Sequence, residues 1–191
     1  MIGTPMGNRF MLLGAFAVGK TTAIEAMQGR RLDVSATGEA ATPTGPATDT
    51  YAAELDADTP VVLGEPARGT RLDRAWRTLV EQFDGGLLLI NHNTADRTSE
   101  LERFLARLRG ARERTRPVVI GVTHLDHLPQ LPLAVYEQYI LETNHGCNCP
   151  RCTPPVLGLD ARVAHDVRAA LVTLGAVIEM AQRYPQAACR A

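Results

Sequence analysis

A glycine-rich octapeptide, Gly14-Ala-Phe-Ala-Val-Gly-Lys-Thr21, has the residue types needed to hold phosphate groups. It fits the pattern G-x-x-x-x-G-K-[ST]. Glycines let backbone N–H groups turn inward and line a concave anion site, and a helix that follows directs its positive end at the anion. In such loops the lysine reaches between the terminal phosphates and the final hydroxyl is a ligand of Mg²⁺. The predicted phosphate-binding residues are Gly14, Ala15, Phe16, Ala17, Val18, Gly19, Lys20, Thr21 and Thr22.

Lys20 is the only lysine in the chain, because 19 of the 20 basic residues are arginines. A coding bias toward arginine accounts for that excess. Arginine and lysine are not interchangeable where a compact ammonium must enter a tight loop. The lone lysine therefore supports the interpretation of this segment as a phosphate loop.

A second polar cluster, Thr123-His124-Leu125-Asp126, follows an apolar run at residues 117–122. In open α/β sheets, ligands bind beyond the carboxyl ends of the strands. A carboxylate at Asp126 can accept hydrogen bonds from the N1–H and 2-amino groups of guanine, whereas adenine offers no such pair of donors. Asp126 is therefore predicted to contact the base of a nucleotide, with Thr123 and His124 preceding it in the same candidate base-binding motif; an ordinary turn is the alternative for Asp126.

A third and weaker signal is Asp160-Ala161-Arg162, which follows the last apolar run of the sequence. The backbone of Ala161 and Arg162 is predicted to contact the edge of the base. The alternative is that Asp160 caps the N-terminus of the helix that follows.

Apolar runs alternate with helical stripes along the chain and predict the elements that position these motifs. Strands are predicted at Arg9–Leu13, 50–55, 59–63, 86–90, 117–122 and 155–159, and helices at 20–28, 72–83, 100–108, 133–141 and 163–181. Because the strands are apolar throughout, both faces of the sheet must be covered. The predicted fold is α/β of the P-loop NTPase type, with a mostly parallel central sheet and helices on both faces.

Composition places limits on the class of protein. The chain has 191 residues, which predicts a single domain, 1–191, with one sizeable core. A net charge of -1 provides no overall basic field for nucleic acid. No apolar run is long enough to span a membrane, and the first nine residues lack the order of a signal peptide. We therefore expect a cytoplasmic protein.

With these three motifs in order, the chain resembles the bacterial Ras-like small GTPases. It is most similar to the MglA-type polarity GTPases and to the GTP-binding proteins of actinobacterial conservon operons. The resemblance covers roughly residues 9–183. It implies a small GTPase-like fold that binds GTP or GDP with Mg²⁺, changes two loops in response to the γ-phosphate, and binds a roadblock-type protein partner.

The resemblance also implies a first switch loop within residues 33–50, where a threonine coordinates Mg²⁺. Thr48 and Thr50 are the nearest candidates for that ligand, and Thr42 and Thr44 are further alternatives. Glu65 and Asp58 are candidates for water-mediated contact with Mg²⁺, of which Glu65 is preferred because it falls in the second phosphate loop.

The second phosphate motif departs from the family pattern of Asp-x-x-Gly followed by Gln. In the alignment suggested by the sequence, Gly64 takes the Asp position, Ala67 the Gly position and Arg68 the Gln position. The missing Gln removes the group that orients the attacking water, although Arg68 can supply positive charge to a transition state. Lys20 and Arg68 are therefore the candidate catalytic residues, and GTP hydrolysis is expected to be slow.

A histidine and three cysteines, His145, Cys147, Cys149 and Cys152, fall within a segment at 142–154 that the small-GTPase pattern does not require. Three thiolates and an imidazole make a candidate Cys₃His zinc site. Thiol redox chemistry and an inert loop are the alternatives.

Two other functional classes remain open from sequence alone. One is a scaffold protein that holds a nucleotide without cycling. The other is a P-loop kinase or ATPase, in which the arginines at 68, 71, 74 and 77 would form a lid.

Overall fold

The computed structural model describes residues 8–32, 48–95, 97–110, 116–127, 132–143 and 153–184. Within them the backbone forms one seven-stranded sheet. Its strands are β1 (Arg9–Leu13), β2 (Arg30–Arg31), β3 (Thr48–Glu54), β4 (Pro60–Pro66), β5 (Gly85–Asn91), β6 (Val118–Thr123) and β7 (Val156–Gly158).

The strand order across the sheet is β2-β3-β4-β1-β5-β6-β7. β1 pairs in parallel with both β4 and β5, and β6 pairs in parallel with β5 and β7. Only the hairpin of β3 and β4 and the short β2 are antiparallel. The carboxyl ends of β1, β4, β5, β6 and β7 therefore meet at one edge of the sheet, where ligands of such folds bind.

Five helices in the described residues cover the two faces of the sheet. They are α1 (Lys20–Ala26), α2 (Leu72–Gln82), α3 (Arg97–Gly110), α4 (Ala134–Thr143) and α5 (Ala164–Arg183). α1 and α5 pack on one face, around Phe10, Leu12 and Leu171, and α2, α3 and α4 pack on the other, around Met11, Leu79 and Phe104. Alternate residues of β1 thus enter opposite cores, as the two-residue period of a strand requires.

The α/β class and the mostly parallel sheet with helices on both faces are confirmed, and they are compatible with a P-loop NTPase. Every predicted strand and helix is present, with shifts of a few residues at the ends. The two-residue strand β2 was not predicted, because so short a segment carries no periodic signal. It pairs with β3 and takes the edge position of the sheet.

Several sequence predictions lie outside the described residues. They include Thr42 and Thr44, the histidine and cysteines of the candidate zinc site, and most of the 142–154 segment. In the described part of the chain, no helix combines the length and apolar character needed to cross a membrane.

Candidate functional site

The phosphate loop connects β1 to α1 through an unusual backbone path. Gly14 has φ +132°, and a Cβ there would lie 2.3 Å from the backbone oxygen of Leu89. Gly19 has φ +100°, and Ala17 is left-handed at φ +61°. Such φ values favour glycine at positions 14 and 19, because an L side chain there would be strained or crowded. The glycines of the motif are thus explained by the local geometry.

The loop presents a row of unsatisfied amides. The backbone N–H groups of residues 16–21 donate to no acceptor within the described ranges. α1 also begins without a side-chain cap. Orphan amides at the start of a helix are matched by an anion, because the groups are directed donors and the helix dipole favours negative charge. The donor set of this loop therefore fits a polyphosphate.

The ammonium of Lys20 folds back onto the loop itself. Its Nζ donates to the backbone oxygens of Gly14 at 2.9 Å and of Ala15 at 2.6 Å. Burial lowers the pKa of Lys20, while the carboxylates of Glu65 and Glu100 act in the opposite direction. The Lys20 ammonium, which lies close to unpaired loop amides, is suited to exchange its two carbonyl partners for phosphate oxygens.

Glu65, at the end of β4, reaches the last residue of the motif. Its Oε2 accepts a hydrogen bond from the Thr21 hydroxyl at 3.0 Å, and its Oε1 lies 3.3 Å from the Tyr51 hydroxyl. A hydroxyl and a carboxylate are oxygen ligands of the kind Mg²⁺ prefers, with several waters retained. Thr21 would hold Mg²⁺ directly and Glu65 through water.

Glu65, and not position 64, is therefore the residue of this strand that reaches Thr21. A Cβ at Gly64 would lie 2.3 Å from the Phe83 ring, on the face of the sheet away from α1. Because side chains alternate along a strand, residue 65 faces the opposite side, toward Thr21. The ring of Phe83 is the physical reason that no side chain stands at position 64.

Strand alternation places the predicted Mg²⁺ ligands Thr48 and Thr50 on the face of the sheet away from Thr21. Asp49 is paired with Glu65 across β3 and β4, so these two residues share the face that carries Thr21. Thr48 and Thr50 point to the other face, and of the three it is Asp49 that lines the cleft. The Arg31 guanidinium contacts the Asp49 carboxylate and balances one of the two adjacent acids. Asp58, the alternative to Glu65, lies in the turn at the opposite end of β4.

Glu100 of α3 was missed by the sequence analysis. Its Oε1 accepts a hydrogen bond from the Ala15 N–H at 2.6 Å, across 85 residues of chain. A helical glutamate beside an apolar stripe gives no local sign of such a role. The contact ties α3 to the entrance of the phosphate loop and brings negative charge close to Lys20.

Thr123, the last residue of β6, joins the polar cluster at 123–126 to the phosphate loop. Its buried hydroxyl lies 3.1 Å from the Val18 backbone oxygen and 3.3 Å from the Ile90 backbone oxygen. The same Oγ1 lies 2.9 Å from Nδ1 of His124, whose φ is +59°. Thr123 therefore acts as a connection between loops rather than as a group exposed to a ligand.

Asp126 and Arg162 meet at the far end of the same cleft. The Asp126 carboxylate is exposed and lies 3.6 Å from Nη2 of Arg162. Arg162 is bound more closely by Asp160, with Nε–Oδ1 at 2.9 Å and Nη2–Oδ2 at 2.6 Å. These hydrogen bonds hold the pKa of Asp160 at about 2. Asp160 does not take the alternative role of a helix cap, because α5 is preceded by Val163 and has no side-chain cap.

Ala161 brings the third motif against the phosphate loop. It is 7% exposed, and a Cβ on Gly19 would lie 2.8 Å from its own Cβ. The sequence-predicted motifs at 14–22, 123–126 and 160–162 are thus gathered around one cleft.

Phe16 and Arg68 stand together at the phosphate end of the cleft. Phe16 is 79% exposed, and the Arg68 Cζ lies 5.7 Å from the centre of its ring. This distance is typical of a cation–π contact. Arg68 is thereby held near the phosphate loop, yet a guanidinium does not align a water as the amide of Gln does.

The cleft that these residues line has a volume of about 1380 Å³. That exceeds the roughly 300–1,000 Å³ of ordinary small-molecule pockets, which leaves room for a nucleoside triphosphate with its hydration. In the described ranges no group of three or more His, Cys, Asp or Glu residues forms a ready-made metal site.

The chain matches no protein-family model, and no curated protein matches it.

Proposed function

We propose that the chain binds a guanine nucleotide in this cleft as a Ras-like molecular switch, with Mg²⁺ and slow hydrolysis of GTP. The observation that carries the proposal is the pairing of two ends in one cleft. Orphan amides at residues 16–21 and the Lys20 ammonium suit the phosphates, while the Asp126 carboxylate at the other end suits the two donors of guanine.

The nucleotide would be held entirely by groups already described. Residues 14–22 would surround the phosphates, and Thr21 with Glu65 would hold Mg²⁺. Mg²⁺ supplies charge neutralisation between phosphate oxygens when it is bound. The backbone of Ala161 and Arg162 would border the base. Thr123 and His124, which contact each other, line the same part of the cleft.

We expect Asp126→Ala to remove the preference for guanine while leaving phosphate contacts intact. Loss of a two-point hydrogen-bond contact lowers discrimination by about 1–3 kcal/mol, or roughly 10–100-fold. The measurement is a calorimetric titration of the unaltered chain and the variant with GDP, GTP, ADP and ATP, at fixed Mg²⁺ and salt. Equal binding of guanine and adenine nucleotides by the unaltered chain would contradict the proposal and favour the P-loop ATPase or kinase class.

Slow turnover is expected because Arg68, and not the amide of Gln, stands at the water-positioning place of the second phosphate motif. GTPases that carry this Gln but receive no arginine from a partner already turn over at only about 10⁻⁴–10⁻² s⁻¹. We expect less than about one phosphate released per minute from GTP by the isolated chain. A rate of several per second would refute this expectation.

A nucleotide-holding scaffold is the second candidate, and the contact of Phe16 with Arg68 at the phosphate end favours it. Both side chains lie where a partner's arginine would approach. Bound nucleotide that neither exchanges nor is hydrolysed over hours would support the scaffold in place of the switch. The roadblock-type partner remains part of the switch proposal, tested by co-purification with and without GTP.

A further inference from the structure

Two acids compete for one guanidinium at the end of the cleft where the base is proposed to bind. Asp126 and Asp160 both approach the guanidinium of Arg162. Asp160 holds it through two nitrogen atoms, whereas Asp126 is 3.6 Å from one of them. A guanidinium is shared unequally here, and the closer acid determines where it points.

Asp160 is itself fixed in place. Its backbone N–H donates to the Asp166 carboxylate of α5 at 3.0 Å, and its Oδ1 accepts from the backbone N–H of Arg162 at 2.9 Å. Ala161, next to it, is buried against Gly19. The anchoring acid is therefore rigid, while Arg162, with a side chain 69% exposed, has the reach to turn.

We infer that Asp160 is a positioning residue that restrains Arg162, so that the guanidinium does not close on Asp126 and compete with the base. This inference rests on the proposed function, since it assigns Asp126 to the base. A guanidinium offers five donors in a planar fork that matches a carboxylate. If it were released, Arg162 would satisfy the same acceptor atoms that the N1–H and 2-amino groups of guanine need.

The low pKa of Asp160, about 2, supports this role at neutral pH. Its carboxylate stays ionised and paired throughout the physiological range. The geometry is also local, since both carboxylates, of Asp126 and Asp160, lie within hydrogen-bond or ion-pair distance of the one guanidinium of Arg162.

The test is a double-mutant cycle with Asp160→Ala, Arg162→Ala and both together. We expect Asp160→Ala to weaken GDP binding about tenfold, which is a coupling within the usual range for contacting residues, and to leave ADP binding unchanged. Arg162→Ala keeps the backbone that borders the base and removes only the competing side chain, so we expect GDP to bind up to about threefold more tightly. The double variant should return to within about threefold of the unaltered chain, because the competing guanidinium is gone.

The sign of the effect separates this role from simple electrostatics. Removing an acid from a site for an anionic ligand should strengthen binding, whereas the restraint predicts weaker binding of GDP alone. A merely structural loss at position 160 would not be rescued by Arg162→Ala. Asp160→Asn, which keeps the side-chain size, is the second variant and should shift GDP affinity in the same direction.

GDP affinity that is unchanged in Asp160→Ala, or a double variant as weak as Asp160→Ala, would overturn the inference. The unaltered chain, titrated with GDP and ADP in the same series, separates the two proposals. No guanine preference in that chain overturns the proposed function and this inference with it. A clear preference with no effect at position 160 overturns this inference alone.

Discussion

Lys20→Ala is expected to weaken binding of GDP and GTP about a thousandfold. Lys20 is partly buried, its Nζ contacts two loop carbonyls, and it is the only lysine in the chain. Truncating one partner of a buried, hydrogen-bonded charge pair costs about 2–5 kcal/mol, and about 4 kcal/mol corresponds to a factor of 10³. Calorimetric titration at fixed Mg²⁺ measures the change.

Arg30→Ala is the matched control for Lys20→Ala. It also removes one positive charge, but from the exposed edge strand β2. We expect its nucleotide affinity to stay within about twofold of the unaltered chain, since exposed charges at a distance are screened by salt. A loss of less than about threefold in Lys20→Ala would show that the loop is not the phosphate site.

The lone lysine allows a second measurement without mutation. An amine-reactive acetylating reagent can modify only Lys20 and the terminal amine. Burial lowers the pKa of Lys20, so its reactive neutral form is more abundant than for a surface lysine. GDP with Mg²⁺ should protect Lys20 from acetylation, as read by mass spectrometry of the peptide that contains it.

Gly14→Ala is expected to lower the free energy of unfolding by about 3–5 kcal/mol. A side chain at φ +132° is strained by about 1–3 kcal/mol, and its Cβ would meet the Leu89 backbone oxygen at 2.3 Å. Overpacking against main chain adds roughly 1–3 kcal/mol, because backbone does not move aside as a flexible side chain does. Urea denaturation followed by circular dichroism measures the difference.

Gly175→Ala provides the opposite control on the same chemistry. Gly175 lies within α5, and a Cβ there would have no atom within 4 Å. We expect this variant to be about 0.5–1 kcal/mol more stable than the unaltered chain, because alanine favours helix over glycine. Gly14→Ala with a stability within about 1 kcal/mol of the unaltered chain would mean that the loop takes another path.

Much of the fold and part of the site follow from local sequence signals. The buried strands are short apolar runs, such as the one that ends before Gly14. The candidate phosphate loop is recognised by its residue types and their spacing. The placement of Asp126 after β6 also follows, because the carboxyl ends of parallel strands share one edge. These features depend on residues close together in the chain.

The features that sequence reasoning missed depend on contacts between distant segments. Glu100 meets Ala15 across 85 residues, and nothing in the pattern of α3 marks that carboxylate. The absence of a side chain at position 64, beside the acid of Glu65, depends on the ring of Phe83, which follows α2 directly. The unequal sharing of Arg162 depends on where two loops from different strands come together.

The contact of Thr123 with the Val18 carbonyl has a consequence for how this chain can change by mutation. A hydroxyl from one loop supports the main chain of the other, and Ala161 packs against Gly19 at the same junction. A substitution in either loop therefore changes the support of the other loop. The two loops of the proposed nucleotide site are mechanically coupled, so a mutation that alters selectivity at one of them also affects phosphate binding at the other.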